Sequence, residues 1–341
     1  MRRNTHVLVI ALVGLVVLIG IAGFVPVPLV ALSPGPTFNT LGSEHGKPVV
    51  SVTGRPTYPT SGHLDMTTVN VTDGLKAFYA LGAWFDPHAR VVPRVTVYPP
   101  GQSDARVRQL NNEMFSTSEQ AAELAALRYL HEPTFTSVAG VQPDAAAKAV
   151  LAPGDVLLAI DGQQVNSANQ VTQLVRKSRP GDKVAITYRR GSGPPTQGQV
   201  VLGSRPGGSG GFLGILVQDQ PADPNQIQIS LADVGGPSAG LMFTLAILDK
   251  ITPIDLTGGR FIAGTGTIDP QGDVGAIDGI PFKMLAARDK GATAFLVPAD
   301  NCKEAQESAP SGLTLIKVRT LTEAVNALNA LKAGRPVPGC S

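Results

Sequence analysis

The chain is poor in the residues from which most reactive centres are assembled. It holds five histidines, His6, His45, His63, His88 and His131, none at ligand spacing from a cysteine or from another histidine. That excludes the common zinc patterns, and no metal is expected. No histidine follows His131, so a nucleophile in the second half must find another base. The glycine-rich stretch 207–214 contains no lysine, and Gly-x-x-x-x-Gly-Lys-Ser/Thr occurs nowhere in the chain. A phosphate-cradling nucleotide loop is therefore not expected, nor any other cofactor. Charge is nearly balanced, 28 basic against 26 acidic residues for a net +2, which argues against a nucleic-acid partner. Cysteine occurs only at Cys302 and Cys340. Outside the cytoplasm these two could pair and tie down the C-terminal tail; otherwise they are unrelated thiols.

What is present is apolar and rich in turns. Hydrophobic residues make up 43% of 341, with 38 glycines and 28 prolines. This suits about two domains with real cores and many turns. Arg2 and Arg3 precede an uninterrupted apolar run over residues 7–25, and no further charged residue appears until Glu44. The run approaches the ~20 residues that cross a bilayer as a helix. It exceeds the ~7–15 of a cleaved signal peptide. The expectation is a single-pass anchor in the cell membrane, arginines inside and the bulk of the chain extracytoplasmic. Pro26, Pro28, Pro34 and Pro36 then read as an extended linker.

Two capping boxes, Ser116-x-x-Glu119 and Thr320-x-x-Glu323, are expected to open helices. Between them the pattern becomes specific. Gly235-Gly236-Pro237-Ser238-Ala239-Gly240 precedes the apolar run Leu241-Met242-Phe243-Thr244-Leu245-Ala246-Ile247-Leu248. Proline suits a first helical position, so Ser238 is expected in the first turn of a buried helix. Its own backbone N–H is the chosen oxyanion donor. A serine needs a base. The candidate is Lys283, in Ile277-Asp278-Gly279-Ile280-Pro281-Phe282-Lys283-Met284-Leu285-Ala286-Ala287. Its apolar neighbours would disfavour the ammonium and free the amine to accept a proton. Thr265, in Ala263-Gly264-Thr265-Gly266-Thr267-Ile268, is a candidate to orient that lysine.

Together these segments resemble the Lon proteolytic domain, which carries a Gly-Pro-Ser-Ala-Gly serine followed by a Lys-x-Leu-Ala-Ala lysine. Upstream, Pro153-Gly154-Asp155-Val156-Leu157 leads to Ile160-Asp161-Gly162, a pattern that resembles PDZ domains. The peptide-carboxylate loop of such a domain would fall near residues 129–133. No glycine lies there, so capture of a peptide carboxylate is not expected from that loop and binding of internal segments stays open. The whole chain is similar to the YlbL-like membrane-anchored PDZ–Lon proteins. That resemblance implies an α+β fold: an N-terminal transmembrane helix, then a Lon-type domain of mixed sheets and helices with an inserted PDZ domain. The implied divisions are 1–30 (cytoplasmic start and anchor), 31–130 (linker and first part of the Lon-like domain) and 131–205 (PDZ). They continue with 206–335 (the part holding Ser238 and Lys283) and 336–341 (tail). The implied activity is ATP-independent serine endopeptidase action on exposed or unfolded protein segments, with the PDZ domain recruiting or gating substrate. A homo-oligomeric ring is also implied. The competing expectation is a catalytically silent adaptor that binds envelope proteins.

Overall fold

The computed structural model describes residues 2–340 except 206, 224, 225 and 233, without the side chains of residues 2–5, 18, 21 and 22. The chain divides into two units. One comprises Met1–Glu119, Gln228–Asp269 and Asp273–Ser341; the other comprises Gln120–Ile227 with Pro270–Gly272.

The first unit is built on a six-stranded sheet. Its order is Thr314–Val318, Ala294–Pro298, Phe261–Gly264, His63–Thr72, Leu29–Asn39, Arg90–Pro93. The first four strands run parallel and the last two pairings are antiparallel. Parallel neighbours need crossover connections. Helix Ile280–Asp289 links Phe261–Gly264 to Ala294–Pro298, and helix Cys302–Glu307 links that strand to Thr314–Val318. The class is therefore mixed α/β, not the α+β arrangement expected.

Helix Gly240–Ile251 is apolar on every side and is buried on every side, Lys250 alone excepted. Phe243 is fully covered and meets Phe115 edge-on at 5.7 Å, so this residue alone contributes about 2–3 kcal/mol of burial. At the far end, Thr320 Oγ1 accepts from Glu323 N–H while Glu323 Oε2 accepts from Arg319 N–H. The second capping box therefore forms. The first does not: Ser116 lies inside one continuous helix, Asp104–Tyr129. No breaker interrupts that helix, and Thr117 Oγ1 donates back onto it, to Glu113 O. Cys302 and Cys340 are disulfide-bonded. The tail they hold also accepts a strand hydrogen bond, Lys317 N–H to Pro338 O at 2.9 Å.

The expected membrane anchor must be corrected. Among the described residues no helix is long and apolar enough to cross a membrane. The first helix, Arg2–Phe24, does not meet that requirement.

The second unit is an antiparallel sheet ordered Thr196–Val201, Lys183–Arg189, Val156–Ile160, Thr134–Val141, Ile215–Pro221. Its core gathers Leu157, Ile160, Val171, Val175, Val184 and Ile186. Ser167 caps helix Ala168–Lys177 by accepting from Gln170 N–H. The last strand in sequence pairs with the first, so the free edge of the sheet is supplied from the unit's C-terminal end.

Candidate active site

In the first unit a cleft of about 600 Å³ is walled by Leu32, Phe38, Met66, Val69, Val97 and Ile277, with Ser238 and Lys283 both on its lining. Three elements converge there. The first is the turn before helix Gly240–Ile251. Gly236 holds φ +85, a value only glycine takes without strain. The helix starts three residues later than the proline suggested: Ala239 is its cap and Ser238 precedes it in the turn. Tertiary bonds win over the local proline signal. Gly236 N–H donates to Asn111 O at 2.9 Å, and Ser118 Oγ donates to Pro237 O at 3.0 Å. Asn111 and Ser118 were not legible as site residues, since Ser118 is 119 residues from its partner and no local pattern marks it.

The second element is the end of strand Phe261–Gly264. Thr265 is fully buried and its Oγ1 donates to Ser238 O at 3.0 Å. Gly266 N–H donates to the same carbonyl at 2.9 Å. The serine's backbone is thus held by two donors from one strand end.

The third is helix Ile280–Asp289, capped by Gly279 at φ +73. A Cβ there would meet Val69 Cγ2 at 2.7 Å, so the turn and the strand approach at glycine distance. Lys283 is 4% exposed and its Nζ donates to Thr265 Oγ1 at 3.2 Å. Burial pushes its ammonium down from 10.5 to about 8, with Asp278 partly opposing the shift. Among the described residues Ser238 Oγ makes no direct hydrogen bond to Lys283 Nζ. The lysine reaches the serine residue through Thr265.

The hydrogen pattern fixes the orientation of this relay. The Thr265 hydroxyl spends its proton on Ser238 O, so it faces Lys283 as an acceptor. A neutral lysine donating one N–H to it keeps a lone pair available on the cleft side. No metal-holding group of His, Cys, Asp and Glu exists among the described residues.

The second unit holds a smaller groove of about 140 Å³ between helix Ala168–Lys177 and strand Ile215–Pro221, lined by Val171, Val175, Arg176, Arg205, Leu213 and Ile215 among others. No glycine lies at residues 129–133; the glycines that border this groove are in Gly210-Gly211-Phe212-Leu213-Gly214. Gly210 has φ +102 and Gly214 φ +68, and Gly211 N–H donates to Ser178 O at 2.8 Å, closing the loop onto the helix end. The sequence reading missed it because the edge strand follows the sheet instead of preceding it.

Comparison with known proteins agrees with both halves. Residues 118–196 match the PDZ domain family, and residues 231–331 match the Lon protease (S16) C-terminal proteolytic domain. Lon protease of Buchnera aphidicola subsp. Baizongia pistaciae is 36% identical over 94 residues, 27% of this chain and 12% of that protein. Lon protease of Bacillus thuringiensis is 25% identical over 181 residues, 47% of this chain and 22% of that protein. The chain thus spans well under a quarter of the length of these relatives. Among solved structures, the PDZ domain of an SdrC-like protein from Listeria monocytogenes is 25% identical, covering 24% of this chain and 86% of that one at a TM-score of 0.23.

The chain is therefore a PDZ-containing protein with a Lon-type proteolytic domain. It is consistent with a PDZ–Lon protease.

Proposed function

We propose that the chain is an ATP-independent serine endopeptidase in which Ser238 is the nucleophile and Lys283 its general base. The carrying observation is the buried Lys283 bonded to Thr265, whose hydroxyl in turn holds the Ser238 carbonyl. Neutral Lys283 takes the Ser238 Oγ proton as Oγ attacks a substrate carbonyl, and the ammonium returns it to the leaving amine. The Ser238 N–H stabilises the oxyanion. Thr265 is a positioning residue. Exposed or unfolded protein segments are the substrates, because no nucleotide loop within the chain supplies an unfolding motor. The disulfide supports action in an oxidising, extracytoplasmic compartment.

The test is turnover of an unfolded fluorescent casein without ATP. With Lys283 titrating at about 8, its neutral fraction rises from roughly 10% at pH 7 to roughly 90% at pH 9. Turnover should rise about tenfold over that range. A flat profile, or silence from folded protein, would count against the lysine base and favour a binding adaptor.

The groove recruits substrate by adding an extended segment to the free edge of strand Ile215–Pro221. Leu213 and Gly214 line the groove beside Arg176 and Arg205, and among the described residues neither N–H donates to a backbone carbonyl. This geometry suits a terminal carboxylate. A labelled peptide with a free C-terminus should bind about tenfold tighter than its C-terminal amide. Equal affinities by fluorescence polarisation would show that the groove takes internal segments.

A further inference from the structure

The cleft beside Ser238 is walled largely by apolar side chains, with the neutral polar groups of Thr68, Asn70, Ser238 and Thr267 among them. Among the described residues its ionisable lining residues are Lys283 and Asp278. Lys283 is buried and occupied by Thr265. Asp278 is exposed and makes no ion pair at contact distance among the described residues. Its carboxylate is the accessible charge of the cleft.

It is also held in place. Ile277 N–H donates to Asn301 Oδ1 at 2.9 Å, and Asn301 Nδ2 donates back to Ile277 O at 2.8 Å. Asn301 is itself buried. On the other side stands Gly279, where Val69 leaves no room for a Cβ. The backbone on both sides of Asp278 is therefore fixed, which sets where its side chain leaves the cleft wall. We propose that Asp278 determines specificity at this cleft by accepting a basic substrate residue, lysine or arginine, next to an apolar side chain that fills the wall of Leu32, Phe38, Met66 and Val97. An acidic residue at that subsite meets a like charge and is rejected. The inference rests on the proposed reading of the cleft as a protease substrate site.

The test separates the two ideas. The full-length Ser238→Ala protein, which keeps the cleft but lacks the nucleophile, is titrated with labelled, C-terminally amidated peptides. These share a leucine core and carry Arg, Gln or Glu at each flanking position in turn. At one position the Arg peptide should bind about tenfold tighter than the Glu peptide. Adding Asp278→Asn should bring that ratio to within about twofold, and Asp278→Lys should invert it. Amidation and the constant second unit keep groove binding out of the comparison. A ratio near one in the Ser238→Ala protein, a ratio that survives Asp278→Asn, or no binding by any peptide each overturns the inference. Selective binding without cleavage by the unsubstituted chain would sustain the role of Asp278 and reject the protease.

Discussion

Lys283→Met is expected to cut kcat/KM on unfolded protein by roughly 10⁴-fold or more, while raising the melting temperature. The two effects have one cause. Lys283 is buried among Ile280, Phe282 and Met284, where the ammonium is poorly solvated, and its value falls from 10.5 to about 8. The folded state therefore binds fewer protons than the unfolded chain between those two values. Stability rises with pH across that window. Below about pH 8 the full cost of charging the buried group is present, roughly 3 kcal/mol at ~1.4 kcal/mol per pH unit. Methionine fills a similar volume with no charge, so it removes that cost and with it the base. Ser238→Ala should lose turnover to the same degree with little change in stability. Thermal unfolding beside a casein assay checks both. A Lys283→Met protein keeping more than about a tenth of the activity would remove the lysine from the mechanism.

Much of this site could be read from the chain alone, for a local reason. Gly-Pro-Ser-Ala-Gly before an apolar run, and a lysine in an apolar helix after a glycine turn, are short-range signals. The helices they announce, Gly240–Ile251 and Ile280–Asp289, are present. What was not legible was long-range or negative. The start of the serine helix is set by Asn111 and Ser118 from another helix, which no local window contains. The Ser116 box matches its pattern yet lies mid-helix, because a cap signal cannot stop a helix already running from Asp104. The glycine loop of the second unit was sought before the sheet and lies after it, since strand pairing depends on topology and not on order in sequence. The apolar N-terminal run was read by length and hydropathy alone, and no described helix meets the requirements of a span. Parallel pairing of the main sheet was invisible for the same reason as the loop: a strand's pattern does not name its partner.

Thr265→Val is expected to lower kcat by roughly 10- to 100-fold with little change in KM. Valine keeps the shape of threonine in a site with no solvent but cannot accept from Lys283 Nζ or donate to Ser238 O. The carbonyl keeps its second donor, Gly266 N–H, so the serine turn should persist. The lysine loses the Thr265 hydroxyl as its acceptor. Its ammonium, already disfavoured by burial, becomes less favourable still, so the rising limb of the pH profile should move below about pH 8 even as the maximum rate falls. A merely structural role would lower the rate and leave the limb where it was. Thr265→Ser restores the hydroxyl without the methyl, and it should recover most of the rate and return the limb. If Thr265→Val and Thr265→Ser behave alike, the Thr265 hydroxyl does not position Lys283 for the Ser238 Oγ proton.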